Sequence, residues 1–385
     1  MRAAPGDTML PDSTRFLVMT PRLDGCDGIS QVSRQVVQAL VRRAGSDQVE
    51  TWALEGAVPR GWDHSLSHEF RTARGSRRHL VCWSLGRALR APRALEDLTI
   101  VVLHLHLAPV AAALVARGAR LAVFIHGIEA WRPLRARDRY ALRAAERVIA
   151  NSERTAELFR VSNEAWRHRT IVVCPLGVGA PPAAAVSAGE EGFALIVGRL
   201  SAAERYKGHD ALIDAWPAVR AAVPRARLVV VGDGDDRPRL ETRVARSGLA
   251  DAIRFTGRVS DEQLHGLYQA AALFVMPSSG EGFGLAYLEA MREGRPCIAL
   301  RAADQIIEDG VSGLLLDDAR PEPLAAALVS LFTDEALRAS MGRAAAARVA
   351  SSFTEEHFAR RFCESLGLVP AATAVAAAHG AAARA

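Results

Sequence analysis

Short apolar runs alternate with amphipathic stretches rich in alanine and arginine along almost the whole chain. A strand followed by an amphipathic helix, repeated many times, is the pattern of βα units that build parallel sheets. The chain has 385 residues, of which half are hydrophobic, and this length exceeds what one hydrophobic core usually supports. We therefore expect an α/β fold of two domains. Each should be a doubly wound sheet that binds ligands at the carboxyl ends of its strands.

The alternation is interrupted once, where the composition changes to proline, small residues and two adjacent acids. This stretch, residues 180–192, has the composition of an interdomain linker. We therefore expect a first domain over residues 1–182 and a second over residues 191–352. A helix over residues 353–368 should follow and pack back toward the first domain, and a flexible tail should occupy residues 370–385.

The predicted strands are short apolar runs rich in β-branched residues, with helices expected between them. In the first domain they lie at residues 15–19, 49–54, 99–104, 121–125, 148–150 and 170–173. In the second domain they lie at residues 193–197, 226–231, 253–255, 273–276, 296–299 and 313–315.

Composition narrows the class of function. No apolar run reaches the roughly 18 residues of a membrane-spanning helix, and the N-terminal stretch lacks the apolar centre of a signal peptide. The five cysteines are far apart and show no C-x-x-C spacing, which argues against a zinc site or a disulfide framework. The net charge of +5 is mild, and no aromatic residues interleave with a basic run, so no nucleic-acid partner is expected. We expect a cytoplasmic protein.

One local stretch of the first domain is strongly basic. Arg71, Arg74, Arg77 and Arg78 lie close together in the sequence. The pattern predicts a solvated loop, and contact with anionic lipid or with a phosphate-bearing acceptor is the alternative. Peripheral contact with the inner face of a membrane therefore stays open.

The most informative run is residues 277–296, which follows an apolar strand and enters a helix near Leu285. Its glycines permit close approach of the backbone, and the amides of Gly284 and Leu285 at the helix start favour an anionic group such as a phosphate. Glu281 lies on the loop, and Glu289 lies one turn into the helix. A pair of carboxylates beside an anion site suits a ligand with both phosphates and vicinal diols, although helix capping would also explain acids there.

A second run, residues 197–209, again passes from a strand through a loop into a helix. It carries Arg199 and Lys207, and Lys207 is the only lysine of the chain. Because the carboxyl ends of parallel strands share one edge, both cations are expected to face the crevice of the glycine-rich run. Two cations there can neutralise a diphosphate and the charge that develops when it leaves, whereas surface ion pairing is the alternative.

These runs closely resemble the retaining glycosyltransferases of family four, the group 1 glycosyltransferases. The resemblance covers roughly residues 193–350 and consists of the pieces VGRLSAAERYKG, VVVGDGDDRPRLE, IRFTGRVSDEQLHGLY, FVMPSSGEGFGLAYLEAM and DGVSGLLLDD in family order. It implies the GT-B fold, in which two Rossmann-like domains face each other across a cleft. It also implies that the second domain binds a nucleotide-diphosphate sugar and the first domain binds the acceptor.

The resemblance assigns roles to individual residues. It implies that Arg199 and Lys207 hold the donor diphosphate. It also implies that Glu281 contacts the hydroxyls of the transferred sugar and Glu289 the nucleotide ribose. The resemblance also implies that Val259 lies beside the base. Main-chain groups that would line the sugar and phosphate belong to Gly282, Phe283, Gly284 and Leu285.

The first half matches the family less closely but contains three similar segments. Residues 25–30 look like the family's glycine-rich loop near the donor phosphates, and Gly28 is the expected contact there. Residues 124–129 look like the family's His-Gly segment, which would place His126 near the transferred sugar. Residues 150–155 resemble the strand-to-helix step where family members carry a similar serine.

Two sequence features could indicate a metal site, but we interpret both as structural or substrate-lining residues. His104 and His106 should point to one strand face, but no third ligand of suitable spacing follows, so packing or substrate lining is expected. The acidic run GDGDD at residues 232–236 lies in a strand-to-helix turn, where glycine and aspartate serve turn and capping roles. It also lacks the third glycine of a dinucleotide fingerprint. No metal and no cofactor are expected besides the donor substrate.

The sequence as a whole predicts a retaining, metal-independent glycosyltransferase of hexosyltransferase type, acting in polysaccharide, glycolipid or other glycoconjugate biosynthesis. The acceptor is expected to be a glycan, a lipid-linked molecule or a small molecule. Arginine-rich loops such as residues 134–139 are compatible with a lipid-linked or polysaccharide acceptor. The alternatives are a catalytically silent nucleotide-sugar-binding subunit and a nucleotide-sugar epimerase of the same fold.

Overall fold

The computed structural model describes residues 14–25, 27–58, 69–91, 95–181 and 192–368. These residues form two compact units. The first contains the described residues up to 176 together with residues 355–368, and the second contains residues 177–354. Most of the predicted linker and the predicted tail over residues 370–385 lie outside the described residues.

Each unit contains one parallel sheet. The strands of the first unit are β1 (Arg15–Thr20), β2 (Val49–Ala53), β3 (Glu69–Thr72), β4 (Leu98–Val102), β5 (Arg120–Ile125), β6 (Arg147–Ala150) and β7 (Val172–Val173). The strands of the second unit are β8 (Ala194–Val197), β9 (Leu228–Val231), β10 (Ile253–Gly257), β11 (Leu273–Met276), β12 (Cys297–Leu300) and β13 (Gly313–Leu316). Every pairing between these strands is parallel.

The strand order identifies where each sheet can bind a ligand. It is β3-β2-β1-β4-β5-β6-β7 in the first unit and β10-β9-β8-β11-β12-β13 in the second. The order reverses between β1 and β4 and between β8 and β11, and such a switch point leaves a crevice at the carboxyl ends of the strands. The central strands β4 and β9 are buried along their whole length, as strands of a parallel sheet covered on both faces should be.

The α-helices connect these strands. They are α1 (Gly28–Ala44), α2 (Arg77–Arg90), α3 (Ala112–Val115), α4 (Ala136–Ala144), α5 (Glu153–Ser162), α6 (His209–Ala222), α7 (Arg237–Arg246), α8 (Asp261–Ala270), α9 (Leu285–Arg292), α10 (Pro321–Thr333), α11 (Glu335–Ser352) and α12 (Glu355–Ser365). No helix among the described residues is long and apolar enough to cross a membrane.

The last helix, α12, belongs to the packing of the first unit, where it lies against α1. Its inner face buries Phe358 and Phe362 completely. On another side, the guanidinium of Arg361 donates to the carbonyl oxygen of Pro175 at 3.0 Å. The amphipathic pattern of this segment is thus explained by contacts within one unit.

Every predicted strand corresponds to an observed one, and β3 was not predicted. The prediction that the basic stretch forms a loop is wrong in part. Arg71 lies in β3, and Arg77 and Arg78 begin α2. Among the described residues, strand β3 is the edge of its sheet and pairs with β2 alone. Edge strands carry charged residues that hinder pairing with other chains, so this segment lacks the apolar pattern by which the other strands were recognised.

Candidate active site

The candidate site of the second unit lies on the two loops that leave β8 and β11. These strands flank the switch point of the sheet, so the loops start side by side at its carboxyl edge. Residues 198–207 form the first loop, which ends in a short 3₁₀ helix (Ala202–Lys207). Residues 277–284 form the second, which ends where α9 begins. The helix start near Leu285 is confirmed.

The first loop is held by backbone hydrogen bonds to the end of β9 and to the GDGDD turn that follows it. The amide of Gly198 donates to the carbonyl oxygen of Val231 at 3.0 Å, and that of Leu200 donates to Asp233 at 3.1 Å. Gly232 has a φ of 134°, and a Cβ atom built there would lie only 1.9 Å from the carbonyl oxygen of Gly198. Only glycine tolerates this close approach of two backbone segments, so the turn fixes the start of the loop that carries Arg199.

The carboxylates of the same turn serve the loop as well. Asp235 accepts a hydrogen bond from the amide of Ala202 at 3.1 Å. Asp236 directly precedes α7, but its side chain makes no capping hydrogen bond to that helix. It accepts instead from Arg239 at 2.6 Å and from Arg205 at 2.8 Å, and these guanidinium groups hold the pKa of Asp236 well below its usual range. The run is therefore a structural turn that anchors the loop.

Direct contacts join the two loops. The amide of Ser279 donates to the carbonyl oxygen of Tyr206 at 3.0 Å. Gly208 has a φ of 86°, and a Cβ atom there would meet the carbonyl oxygen of Pro277 at 2.7 Å. A Cβ atom on Gly280 would meet the ring of Tyr206 at 2.8 Å. The close packing of these glycines places the side chains at the end of the first loop beside those of the second.

An ionic cluster lies where the loops meet. The Nζ atom of Lys207 is 3.6 Å from an oxygen of Glu281 and 3.9 Å from an oxygen of Glu204. The other oxygen of Glu204 contacts Arg199. The structure therefore brings together Arg199, Lys207 and Glu281 as the sequence predicted. It adds Glu204, which bridges the two cations and had no assigned role.

The members of the cluster differ in exposure. The side chain of Arg199 is 72% exposed, and that of Lys207 is 15% exposed. The Oε2 atom of Glu281 is the oxygen that lies 3.6 Å from the Lys207 Nζ atom; it is buried, and within the described residues it accepts no hydrogen bond. Buried polar atoms in native proteins nearly always have a partner, so this oxygen is suited to accept from a ligand hydroxyl. The cluster can thus offer two cations to an anion and a carboxylate to a polyol.

The start of α9 adds backbone donors to this region. Gly284 precedes the helix with a φ of 105°, and no side chain caps it. Phe283 is buried, with its ring centroid 6.3 Å from that of Phe353, which fixes the approach to the helix. Amides at a helix start carry partial positive charge and favour an anionic group. Gly282 and Leu285, the other predicted main-chain contacts, flank these two residues and are half-buried.

Glu289 lies on α9, one turn beyond its start, and accepts a hydrogen bond from the hydroxyl of Tyr268 at 2.9 Å. Burial raises the pKa of this carboxyl, and the Tyr268 hydrogen bond opposes that shift in part. Glu289 is half-buried, and a desolvated carboxylate whose closest partner is a neutral hydroxyl costs a fold stability, so such a group is often kept for binding. Val259 is half-buried and precedes Ser260, the residue that caps α8.

His126 of the first unit follows β5, and backbone contacts hold it firmly. Its amide donates to Glu129 at 2.6 Å, and its carbonyl oxygen accepts from Asn151 at 2.6 Å. Its Nε2 atom lies 2.9 Å from the carbonyl oxygen of Leu103, so this nitrogen carries the proton and Nδ1 is the acceptor of the neutral ring. Burial lowers the pKa of His126, which favours the neutral form.

Gly28 is the exposed first residue of α1. The carboxylate of Asp27 caps this helix by accepting from the amides of Ile29 and Ser30 at 3.0 and 3.1 Å. Two donors that an anionic ligand could use are therefore already engaged. The serine of the segment 150–155, Ser152, is buried and caps α5 by accepting from the amide of Thr155.

His104 and His106 were expected on one strand face, and this prediction is wrong. Both follow the end of β4, where His104 accepts from the amide of His106 at 3.3 Å. The ring of His106 lies 3.5 Å from the buried carboxylate of Asp138, and burial lowers the pKa of His104 to about 4. Among the described residues no group of three metal-ligating side chains is found.

The two doubly wound units define a protein of the GT-B class. Comparison with known families agrees, since residues 191–334 match the family described as "Glycosyl transferases group 1" and residues 26–180 match "Glycosyltransferase Family 4". The two matches together take in both units. The chain therefore belongs to glycosyltransferase family 4, the group 1 glycosyltransferases.

Several curated proteins are similar to this chain. A D-inositol 3-phosphate glycosyltransferase of Nocardiopsis dassonvillei is 36% identical over 226 residues, which cover 53% of this chain and 52% of that protein. A phosphatidyl-myo-inositol mannosyltransferase of Mycobacterium leprae is 35% identical over 147 residues, which cover 37% of this chain and 38% of that protein. The chain thus spans about half the length of the first of these relatives and less of the second.

Solved structures share the fold at low sequence identity. Anabaena HepE, in complex with UDP and glucose, superposes with a TM-score of 0.71 at 20% identity, covering 92% of this chain and 100% of that one. Sucrose-phosphate synthase of Thermosynechococcus elongatus superposes with a TM-score of 0.70 at 21% identity, covering 91% of this chain and 98% of that one. Both comparisons support the GT-B fold.

Proposed function

We propose that this chain is a glycosyltransferase that moves a sugar from a nucleotide-diphosphate sugar to an acceptor, with retention of anomeric configuration and without a metal ion. The observation that carries the proposal is the cluster of Arg199, Lys207 and Glu281 at the switch point of the second unit, beside the uncapped start of α9. This arrangement suits a ligand that has both phosphates and hydroxyls. The transferase names of the relatives agree with it.

In the proposed reaction the bond between the anomeric carbon and the phosphate oxygen breaks while the acceptor oxygen attacks on the same face. The leaving phosphate oxygen takes the acceptor proton, so no protein nucleophile is required. Arg199 and Lys207 stabilise the negative charge that develops on the diphosphate. Glu281 accepts hydrogen bonds from hydroxyls of the transferred sugar. Glu289 accepts from the ribose, and Val259 lies beside the base.

The remaining predicted residues complete the proposal. Gly282, Phe283, Gly284 and Leu285 line the sugar and phosphate with main-chain groups. His126 contacts the transferred sugar as a neutral ring, with Nδ1 as its acceptor. The acceptor is a glycan, a lipid-linked molecule or a small molecule, and the enzyme acts in the cytoplasm.

Donor turnover measured with and without acceptor tests the proposal. A panel of nucleotide sugars is first screened by thermal shift, because a ligand that binds only the native state raises the apparent unfolding temperature. The stabilising donor is then incubated alone and with candidate acceptors, and the products are separated. A glycosylated acceptor supports the proposal. An epimerised donor, or binding without any turnover, would contradict it.

Exchange of the two glutamates for glutamine should separate their roles. Glu289→Gln should weaken the binding of donor and of free nucleotide diphosphate alike, by on the order of tenfold, because the ribose does not change during the reaction. Glu281→Gln should lower turnover by on the order of 10- to 100-fold and leave the affinity for free nucleotide diphosphate unchanged. Calorimetry with the free nucleotide diphosphate and steady-state rates measure both effects.

The control is Glu241→Gln, which changes a surface glutamate of α7 that pairs with Arg237 and should alter neither quantity. Folding gives a second control. Because burial raises the pKa of Glu289 above its value in the unfolded chain, the ionised carboxylate destabilises the folded state at neutral pH. Glu289→Gln should therefore unfold at no lower temperature than the natural protein. If Glu281→Gln is the variant that loses nucleotide affinity, the donor lies in the reverse orientation.

Activity should survive removal of divalent ions. The two cations of the cluster can neutralise the diphosphate, and the carboxylates of Asp235 and Asp236 are engaged by an amide and by guanidinium groups. Turnover of the purified enzyme should be equal with excess chelator and with added magnesium or manganese. Complete loss of turnover with chelator, restored by magnesium or manganese, would contradict the prediction. It would show that the GDGDD run or the pair of His104 and His106 binds a metal ion.

A further inference from the structure

Helix α2 (Arg77–Arg90) carries an apolar stripe on its solvent face. Val81, Leu85 and Leu89 are 41%, 47% and 85% exposed. They are spaced four residues apart, so they lie along one side of the helix. Single exposed hydrophobic residues are common, whereas a row of three on one helix marks an interaction surface.

The adjacent side of α2, about 100° around the helix axis, is well packed, so the stripe is not the result of a poorly seated helix. Leu80, Ser84 and Ala88 are buried. The ring of Trp83 meets that of Trp52 edge to face, with centroids 5.8 Å apart. The helix therefore has one face for the core of the first unit and a second apolar face that the described core does not use.

The charged side chains on and just before α2 are arginines. Helix α2 contains no acidic residue, and Arg77, Arg78 and Arg90 are exposed on it. Arg74 is exposed in the turn before it. Within the described part of the chain, no ion pair is found for these four guanidinium groups.

Acids of the strands β2 and β3 are already paired with arginines. Glu50 pairs with Arg87 of α2, and Glu69 pairs with Arg71 of β3. Among the described residues, therefore, neither of these acids is free to balance the four exposed arginines. Arg77 and Arg78 lie one turn before Val81 on the same side of the helix, so the apolar stripe has a cationic N-terminal end.

We propose that the α2 surface, formed by Val81, Leu85, Leu89 and the arginines beside them, binds the surface of an anionic lipid bilayer. A helix that lies in a membrane interface buries an apolar stripe among the acyl chains, while basic side chains reach the lipid phosphates. Charge complementarity selects this occupant, because both parts of the surface then find their partner at once. The inference stands independently of the sugar-transfer reaction.

Flotation with vesicles tests the proposal without any substrate. The full-length chain should float with vesicles of phosphatidylcholine mixed with phosphatidylglycerol and not with phosphatidylcholine alone. Binding should fall as salt is raised, because the attraction to lipid phosphates is screened. Arg77→Gln with Arg78→Gln should weaken it by on the order of fivefold for each arginine. Leu85→Gln with Leu89→Gln should weaken it by on the order of tenfold or more.

Two variants with changes outside α2 serve as controls, one for the apolar residues and one for the arginines. Val161→Gln changes an equally exposed apolar residue of α5. Arg246→Gln with Arg343→Gln removes two exposed arginines of the second unit. Both should bind vesicles as the natural protein does. All variants should keep the unfolding temperature of the natural protein, since each change lies on the surface.

A fluorescent reporter locates the contact. Cys82 is exposed on α2, so an environment-sensitive fluorophore attached to it, in a variant with Cys26 and Cys363 replaced by serine, should shift to the blue on adding anionic vesicles. Three results would overturn the proposal: equal binding to neutral vesicles, unchanged binding of both α2 double variants, or no spectral shift. A change of oligomeric state in Leu85→Gln with Leu89→Gln, without loss of vesicle binding, would assign the stripe to a protein interface instead.

Discussion

Replacing Lys207 with alanine should lower the rate of sugar transfer by on the order of 100-fold or more, because it removes a preorganised cation from the leaving diphosphate. The unfolding temperature should change little, since Lys207 ends a loop and its ion pairs, at 3.6 and 3.9 Å, are too long to be hydrogen bonds. Arg199→Ala should act in the same way. Since both cations act on one group, the double variant should lose less than the product of the single losses.

Steady-state turnover and thermal unfolding of the three variants measure these effects. Arg246→Ala, which removes an exposed arginine of α7, is the control for loss of a positive charge in the same unit. Turnover near that of the natural protein in a folded Lys207→Ala variant would refute the assignment of the donor site.

The sequence offers an independent probe of the same residue. Because Lys207 is the only lysine, an amine-reactive reagent can label only Lys207 and the chain's α-amino group. Bound nucleotide diphosphate should protect Lys207 from labelling, while the α-amino group reacts at an unchanged rate. Equal labelling of Lys207 with and without the nucleotide would show that the diphosphate binds elsewhere.

Replacing Gly232 with alanine should both destabilise the second unit and abolish donor binding. A φ of 134° is unfavourable for any side chain, at a cost of about 1–3 kcal/mol, and the new Cβ atom would lie 1.9 Å from the carbonyl oxygen of Gly198. Because the new Cβ atom would clash with a backbone atom, the clash can be removed only if the segment from Gly198 to Arg199 moves. The charge cluster would then lose its geometry.

Gly248→Ala separates the two contributions. Gly248 has a φ of 66° with no atom within 4 Å of an added Cβ, so this variant carries the backbone cost alone. Thermal unfolding should show a larger loss in Gly232→Ala than in Gly248→Ala, and nucleotide binding should fail only in Gly232→Ala. Equal losses of stability, with nucleotide affinity kept in both, would mean that the turn does not position the loop.

Local pattern was sufficient to predict most elements of the fold and the main candidate residues of the second unit. Apolar runs of β-branched residues identify buried parallel strands, because such strands must be apolar on both faces. Arg199, Lys207 and Glu281 could be assigned together because loops that follow strands of one parallel sheet share one edge. The edge strand β3 escaped prediction because an exposed edge needs no continuous apolar run.

Only the tertiary structure decided which charges pair with which. Glu204 bridges Arg199 and Lys207, Asp236 binds Arg205 across 31 positions of sequence, and the hydroxyl of Tyr268 reaches Glu289 on another helix. No spacing rule encodes such pairs, because an ion pair or hydrogen bond depends on where packing brings two side chains. The sequence by itself therefore determined the type of most elements, the order of the predicted strands along the chain and the residues that can carry charge to the site. The tertiary contacts determined how those charges are balanced.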